Sequence, residues 1–175
     1  MNGEIKDTTP IQLFNISKIG NKKIENELLL INREWKDVQG LYNFFLCINK
    51  QLDIIDSVLF ECYFDGMSVV IKDFYSHFSI IYKLLEKIKN NIDNKDIREI
   101  FREFEKNCGK NIQIIRNQIH IHKEGANFYK NFGTVFSRDD GGTLKIDTEN
   151  GSFELKPLAD FKNVELYLLK FKEIL

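Results

Sequence analysis

The sequence is poor in the patterns that mark several large protein classes. Its three cysteines, Cys47, Cys62 and Cys108, are odd in number and far apart, so they supply neither a disulfide framework nor the close pairs of a zinc site. No segment approaches the roughly 20 consecutive apolar residues that a membrane-spanning helix needs. The first residues lack the basic start and apolar core of a secretory signal. We therefore expect a cytoplasmic protein with no metal, no cofactor and no membrane partner.

Neither sign of charge dominates the chain. It has 25 Lys and Arg against 26 Asp and Glu, which gives a formal net charge of -1 and a pI near 6.3. Proteins that coat nucleic acid through bulk electrostatics neutralise many phosphates with an excess of basic residues. The balance of charge excludes that class, but it is compatible with a nuclease that contacts only a few nucleotides.

What the chain does have is a large apolar fraction. Of its 175 residues, 43% are hydrophobic and 13% are aromatic. This is enough for one well-buried core, and the chain is too short for two ordinary domains. We see no internal repeat and no low-complexity linker, so we expect a single domain over residues 1–175.

Apolar residues recur at gaps of three and four over several segments, and this spacing predicts amphipathic helices. Residues 56–65, ahead of Gly66, fit either the tail of the first helix or the turn into the second. Asp93 or Asn94 is the predicted N-cap of the third helix. A final stripe, with Asp160 near its start, predicts a closing helix. The helical segments are 24–55, 70–92, 97–119 and 161–175, preceded by a loose N-terminal arm over about residues 1–20 that holds at most one short turn of helix.

The pattern changes from a helical period to alternation after Gly125. Residues 134–137, 143–147 and 152–156 alternate in polarity and predict three short strands. Gly141-Gly142 and Asn150-Gly151, which lie between them, suit tight hairpin turns. We therefore predict a mainly α fold with a small β-meander, over about residues 133–156, inserted before the C-terminal helix.

One short segment at the end of the third predicted helix carries residue types suited to chemistry on RNA. Arg116 lies close to His120 and His122. An arginine offers a permanently charged fork for a phosphate, and a histidine exchanges protons near neutral pH. His122 also falls on the apolar stripe, so its ring should face a partner group in the core, or a partly dry cleft or interface. The alternative is a charged helix end with two surface histidines.

The string of Arg116, Asn117, four further residues and His122 resembles the signature of the HEPN superfamily (higher eukaryotes and prokaryotes nucleotide-binding domains). In that family an arginine is followed after four to six residues by a histidine, and Asn, Asp or His often comes directly after the arginine. The likeness covers approximately residues 22–125. It implies an up-and-down helical bundle and a metal-independent endoribonuclease of toxin or antiviral-defence type. The β-meander is the main departure from the family.

The resemblance also implies roles for individual residues. Arg116 would bind and neutralise the scissile phosphate, while His122 would move the proton as the ribose 2′-hydroxyl attacks that phosphate. Asn117 would orient the phosphate or the histidine. His120 and Lys123 are expected to contact the RNA substrate. His120 is also a competing proton carrier, because it lies near Arg116 at helical spacing, although the family spacing selects His122.

The same geometry predicts a partner. Each residue of a straight helix turns by about 100°, which places Arg116 and His122 about 120° apart. In HEPN proteins the motif commonly lines a cleft between two protomers, so we expect a homodimer whose interface includes the third helix. Two other classes stay open. One is a non-catalytic nucleotide- or RNA-binding module that acts with a partner such as a nucleotidyltransferase antitoxin, and the other is a helical interaction protein in which the motif is coincidental.

Overall fold

The computed structural model describes residues 12–49, 57–109, 111–113, 132–135, 143–148 and 151–175. Over these residues the chain is mainly helical, which confirms the fold class that the apolar spacing predicts. In this described part, no helix combines the length and the apolar character that crossing a membrane requires. The helices are α1 (Glu25–Asn49), α2 (Ser57–Asn91), α3 (Lys95–Phe104) and α4 (Pro157–Ile174).

Helix α2 begins earlier than the apolar spacing predicts. Residues 57–65 are neither the tail of the first helix nor a turn, because they form the first part of α2, and Gly66 lies inside that helix. A glycine in a helix interior costs only about 1 kcal/mol relative to alanine. A helix of 35 residues, packed along α1, can absorb that cost without a break.

Helix α3 starts at the predicted cap, and its geometry changes from α-helical to π-helical after Phe104; the predicted continuation over residues 114–119 lies outside the described residues. The Asn94 side chain caps it by accepting hydrogen bonds from the backbone N–H of Asp96 at 2.8 Å and of Ile97 at 3.3 Å. The α-helical part ends at Phe104 and is followed by a π-helical turn, Glu105–Gly109. Residues 111–113 are helical again. A π-helical turn holds one extra residue and therefore shifts the phase of the helix that follows.

Aromatic side chains fill a large part of the core. Phe161 of α4 stacks on two residues of α1, with ring centroids 4.8 Å from Trp35 and 3.9 Å from Tyr42. Phe45 of α1 meets Phe74 of α2 edge to face at 5.7 Å. These contacts join α4 and α2 to the same face of α1. The largest fully buried side chains are Trp35, Tyr75, Phe14, Phe45, Phe74, Phe78, Phe104 and Phe171.

Residues 12–20 contain the one short helical turn that the sequence allows, a 3-10 turn at Ile16–Lys18, but the segment is held against α1 and is not a loose arm. Leu13 and Phe14 are buried, at 5% and 1% exposure. The Asn32 side chain of α1 accepts a hydrogen bond from the Phe14 backbone N–H at 2.8 Å and donates one to the Phe14 carbonyl at 2.9 Å. Two buried apolar residues and the amide of Asn32 hold the segment against α1. Two residues are too few to form a periodic pattern, so the sequence gives no sign of this packing.

Three strands precede α4 in the described residues. They are β1 (Phe132–Val135), β2 (Thr143–Thr148) and β3 (Gly151–Leu155), which pair antiparallel in the order β1-β2-β3. Phe132 pairs with Ile146, and Leu144 pairs with Leu155. Strand β1 starts at 132 instead of the predicted 134. Leu155 is buried, so the end of the sheet contributes to the core just before α4 begins.

Candidate functional site

The residues that the sequence assigns to RNA cleavage lie outside the described part of the chain. Arg116, Asn117, His120, His122 and Lys123 all fall within residues 114–131. Their roles therefore stay predictions. Residues 105–109 and 111–113, which are described, lead into this segment. Three polar clusters lie elsewhere in the described part of the chain.

The π-helical turn that leads toward the predicted motif is fixed at several points. A Cβ atom on Gly109 would lie only 2.6 Å from Cε2 of Tyr82, so the backbone and this ring are in close contact. The Tyr82 hydroxyl donates a hydrogen bond to Glu105 at 2.8 Å. Burial and this hydrogen bond raise the pKa of Tyr82, so the hydroxyl stays a donor at neutral pH. Asn107 donates to the hydroxyl of Tyr167 in α4.

The close approach of Gly109 predicts a specific loss of stability. Gly109→Ala should lower the free energy of unfolding by about 1–3 kcal/mol, the usual cost of overpacking, because the Tyr82 ring is only 7% exposed and has little room to move. Gly40→Ala is the matched control, since a Cβ atom there meets nothing within 4 Å. That change should stabilise α1 by up to about 1 kcal/mol. Urea unfolding measures the unfolding free energy of both variants. If Gly109→Ala is as stable as the wild type, the close approach of Gly109 to the Tyr82 ring is contradicted.

A cleft of about 420 Å³ opens between the end of α2 and α3. Three of its lining side chains are cationic and one is a carboxylate. The Lys89 ammonium lies 4.4 Å from the centroid of the Phe101 ring, which forms the apolar part of the wall. We call this feature the basic cleft. It is lined by Lys89, Asn90, Arg98, Phe101, Arg102 and Glu105.

The basic cleft is absent from the predictions drawn from sequence. One signal was present, because Arg98 and Arg102 lie four residues apart and so share a face of a helix. Nothing in the sequence places Lys89, at the end of another helix, beside that face. The cleft exists because the last turn of α2 and the first turns of α3 meet.

His77 lies between two carboxylates where α1 and α2 meet. Its Nδ1 is 2.7 Å from Oε2 of Glu34, and its Nε2 is 3.8 Å from Oδ1 of Asp73. The side chains of His77 and Glu34 are 18% and 13% exposed. The described residues contain no group of His, Cys, Asp and Glu side chains suited to a metal ion. The 2.7 Å contact between His77 and Glu34 links α2 to α1.

A second polar link ties α2 to the start of α4. Tyr75 donates a hydrogen bond to Oδ2 of Asp160. Burial raises the pKa of Asp160, although the hydrogen bond from Tyr75 and the backbone of Lys156 oppose that shift. Burial, together with the Asp160 charge, raises the pKa of Tyr75 well above its usual value and that of Cys108 to about 12. Cys108 therefore stays a thiol at neutral pH, and the thiol form is a poor nucleophile.

The raised pKa of Asp160 predicts how stability depends on pH. The folded chain retains a proton that the unfolded chain releases once the pH exceeds the ordinary value of 3.8. The unfolding free energy should therefore fall as the pH rises from that value to the folded pKa, and this contribution is constant above it. Asp160→Asn removes this slope, because an amide does not titrate.

Urea unfolding at about pH 3.5 and about pH 7 tests this linkage. The unfolding free energy of Asp160→Asn minus that of the wild type should be larger at the higher pH. Asp37→Asn, at an exposed position of α1, removes the same charge and should show little such change. A difference for Asp160→Asn that does not vary with pH would contradict the raised pKa.

Comparison with known proteins identifies no relative. No protein-family model, no curated protein and no solved structure matches this chain. The class that the described residues define is a mainly helical protein with a small antiparallel sheet and a basic cleft.

Proposed function

We propose that this protein is a metal-independent endoribonuclease of toxin or antiviral-defence type. The observation that carries the proposal is the string of Arg116, Asn117, four further residues and His122. Within seven residues it combines a permanently charged guanidinium that can bind phosphate, a side-chain amide and a titratable imidazole. These are the groups that in-line cleavage of a phosphodiester by its own 2′-hydroxyl requires.

The proposed reaction breaks one P–O bond and forms another. The imidazole of His122 accepts the proton of the ribose 2′-hydroxyl as the 2′-oxygen attacks phosphorus. The 5′-oxygen leaves and takes a proton from water, and the protonated His122 returns its own proton to solvent, which gives a 2′,3′-cyclic phosphate, a 5′-hydroxyl and a regenerated imidazole. The guanidinium of Arg116 neutralises the charge that grows on the phosphate oxygens. Because the nucleophile is the 2′-hydroxyl, the substrate is RNA and not DNA.

Two features of the described residues support this assignment. Phe104, Cys108 and Ile112 are buried, so the apolar face of the third predicted helix persists to a point four residues before Arg116. The contacts of Tyr82 and Asn107 hold this stretch against α2 and α4. A site carried by a rigid element keeps its groups in position better than one on a loop. We further propose that the helices form a HEPN-like up-and-down bundle into which a β-meander is inserted.

The second protomer is part of the proposal. The helical spacing separates Arg116 and His122 by about 120° on one helix, so one copy of the motif does not direct both groups at the same phosphate. In a homodimer with the two motifs facing each other, the arginine of one copy and the histidine of the other can converge on one RNA strand.

A second candidate is a non-catalytic RNA- or nucleotide-binding module that acts with a partner such as a nucleotidyltransferase antitoxin. The basic cleft favours it, because three cations around one cavity can hold phosphate groups without any proton transfer. Only the ribonuclease should cleave RNA with turnover, so a cleavage assay distinguishes the two candidates.

The test is incubation of the purified protein with a mixed RNA pool in EDTA. The ribonuclease should yield fragments that end in 2′,3′-cyclic phosphate. The same sequences made with 2′-O-methyl ribose should stay intact, because the nucleophile is blocked. Intact unmodified RNA, with a protein that shows the circular dichroism of a folded helical chain, would contradict the ribonuclease and favour the binding module.

A further inference from the structure

We propose that the basic cleft binds the phosphate backbone of RNA, as a contact site separate from the predicted cleavage motif. This inference rests on the proposed ribonuclease function, which identifies RNA as the phosphate-bearing ligand. The size of the cleft, its charge and its apolar wall all point to this ligand.

The cleft has the dimensions of a ligand site. Its volume of about 420 Å³ lies within the range of roughly 300–1,000 Å³ that small-molecule pockets occupy. Its rim is exposed to solvent, because Arg98 and Asp93, which form an ion pair there, have side chains 54% and 93% exposed. A phosphate group of a strand at the surface can therefore reach the cleft from solvent.

The charges in the cleft are not balanced from within. Lys89, Arg98 and Arg102 line the cleft together with one carboxylate, Glu105, which already accepts a hydrogen bond from the Tyr82 hydroxyl. Asp93 at the rim pairs with Arg98, so one cation remains in excess. An anion entering the cleft therefore meets an excess of positive charge and several N–H donors. Phosphate suits this site, because guanidinium groups bind it with paired hydrogen bonds.

The two arginines of the cleft repel each other weakly. They lie four residues apart on α3, a spacing at which like charges destabilise a helix. Arg98 forms an ion pair with Asp93, which offsets part of this repulsion. In the described part of the chain, Arg102 has no ion-pair partner. A bound phosphate would supply a counter-charge, so binding should stabilise α3.

The apolar wall offers no face on which a base could stack, which favours phosphate as the group that is bound. Phe101 is only 2% exposed, and the Lys89 ammonium covers its ring at 4.4 Å. A base therefore has no free aromatic face on which to stack. Contacts to the backbone alone carry no sequence information, so binding at this cleft should not depend on the RNA sequence.

The test uses a fluorescent single-stranded 2′-O-methyl RNA of about 12 nucleotides, which fits the usual site sizes of single-strand binders and cannot be cleaved by 2′-hydroxyl attack. Anisotropy compares the wild type with the double variant Arg98→Gln/Arg102→Gln. We expect affinity to fall on the order of ten-fold, the worth of about one charge-assisted hydrogen bond. The slope of log affinity against log salt should become shallower by about 0.7 for each phosphate that the variant no longer neutralises.

The control is Arg33→Gln/Lys36→Gln, which removes two exposed cations from α1 and leaves the cleft intact. Its affinity should change by less than about two-fold, because neither side chain lines the cleft and charges exposed to solvent are strongly screened by salt. Arg102→Lys, which keeps the charge without the fork, should retain intermediate affinity. Equal losses in both double variants would show a bulk charge effect and would overturn the proposal, as would wild-type affinity of the cleft variant.

Cleavage of unmodified RNA by the same proteins separates the two proposals. If the wild type cleaves RNA and the cleft variant binds as tightly as the wild type, the cleft assignment fails and the ribonuclease stands. If RNA stays intact while the cleft variant loses affinity, the ribonuclease fails and the phosphate site stands.

Discussion

His122→Ala should lower the rate of RNA cleavage by about 10²- to 10⁴-fold, the usual contribution of a positioned acid–base group. Alanine cannot accept the proton of the 2′-hydroxyl, so the attacking oxygen must lose it to water. RNA binding should change little, because phosphate is held by cations. The measurement is the initial rate on a labelled RNA in EDTA, with the affinity for 2′-O-methyl RNA measured in parallel.

His120→Ala is the matched control for this experiment. It removes the same side chain two positions away and should reduce cleavage by less than about ten-fold if it only contacts substrate. Unchanged cleavage by His122→Ala would remove the assigned role of that residue. A large loss of cleavage in His120→Ala alone would assign the proton transfer to His120.

A mixture of two inactive variants tests the shared site within the same assay. Arg116→Ala and His122→Ala should each be inactive alone. In a heterodimer, one of the two sites would combine an intact arginine from one copy with an intact histidine from the other. After subunit exchange of an equal mixture, about a quarter of wild-type activity should return for a symmetric dimer. No recovery despite proven exchange would contradict a site built from two protomers.

Phe161→Ala should lower the free energy of unfolding by about 3–5 kcal/mol, the usual cost of deleting a buried aromatic ring. The ring is 5% exposed and is stacked on Trp35 and Tyr42 at 4.8 and 3.9 Å. Each aromatic pair adds about 0.5–1.5 kcal/mol beyond the area it buries. Because domains are stable by only about 5–15 kcal/mol in total, this single change should release much of the packing between α4 and α1.

Urea unfolding followed by circular dichroism measures this effect. Phe161→Leu keeps an apolar side chain of similar reach and should lose clearly less than Phe161→Ala. Leu166→Ala, on the same helix but 51% exposed, should stay within about 0.5 kcal/mol of the wild type. Equal stability of Phe161→Ala and Leu166→Ala would show that the stacked cluster does not hold α4 in place.

Local patterns predicted much of the helical structure. Ile97, Phe101 and Phe104 recur at gaps of four and three, and all three are buried. Asn94 was one of two predicted caps, and its side chain accepts both hydrogen bonds at the start of α3. Such features depend on residues within one or two turns of each other, which is why the sequence alone can reveal them.

Element boundaries were harder to predict, for identifiable reasons. Gly66 weakens the helical signal without ending α2, because packing along the rest of a long helix outweighs one unfavourable residue. The π-helical turn after Phe104 leaves no mark in the apolar spacing, since Cys108 follows at a gap of four and is still buried. The buried Leu13 and Phe14 show no periodicity at all.

The sequence by itself determined the buried faces of the helices and the arginine–histidine motif on which the proposed chemistry depends. Only the tertiary structure decided which polar groups meet. Glu34 and His77 are 43 positions apart, and Tyr75 and Asp160 are 85 apart. The basic cleft likewise joins the ends of two helices. Such partners depend on which helix faces come together, and that is settled by packing of the whole core, which no local pattern encodes.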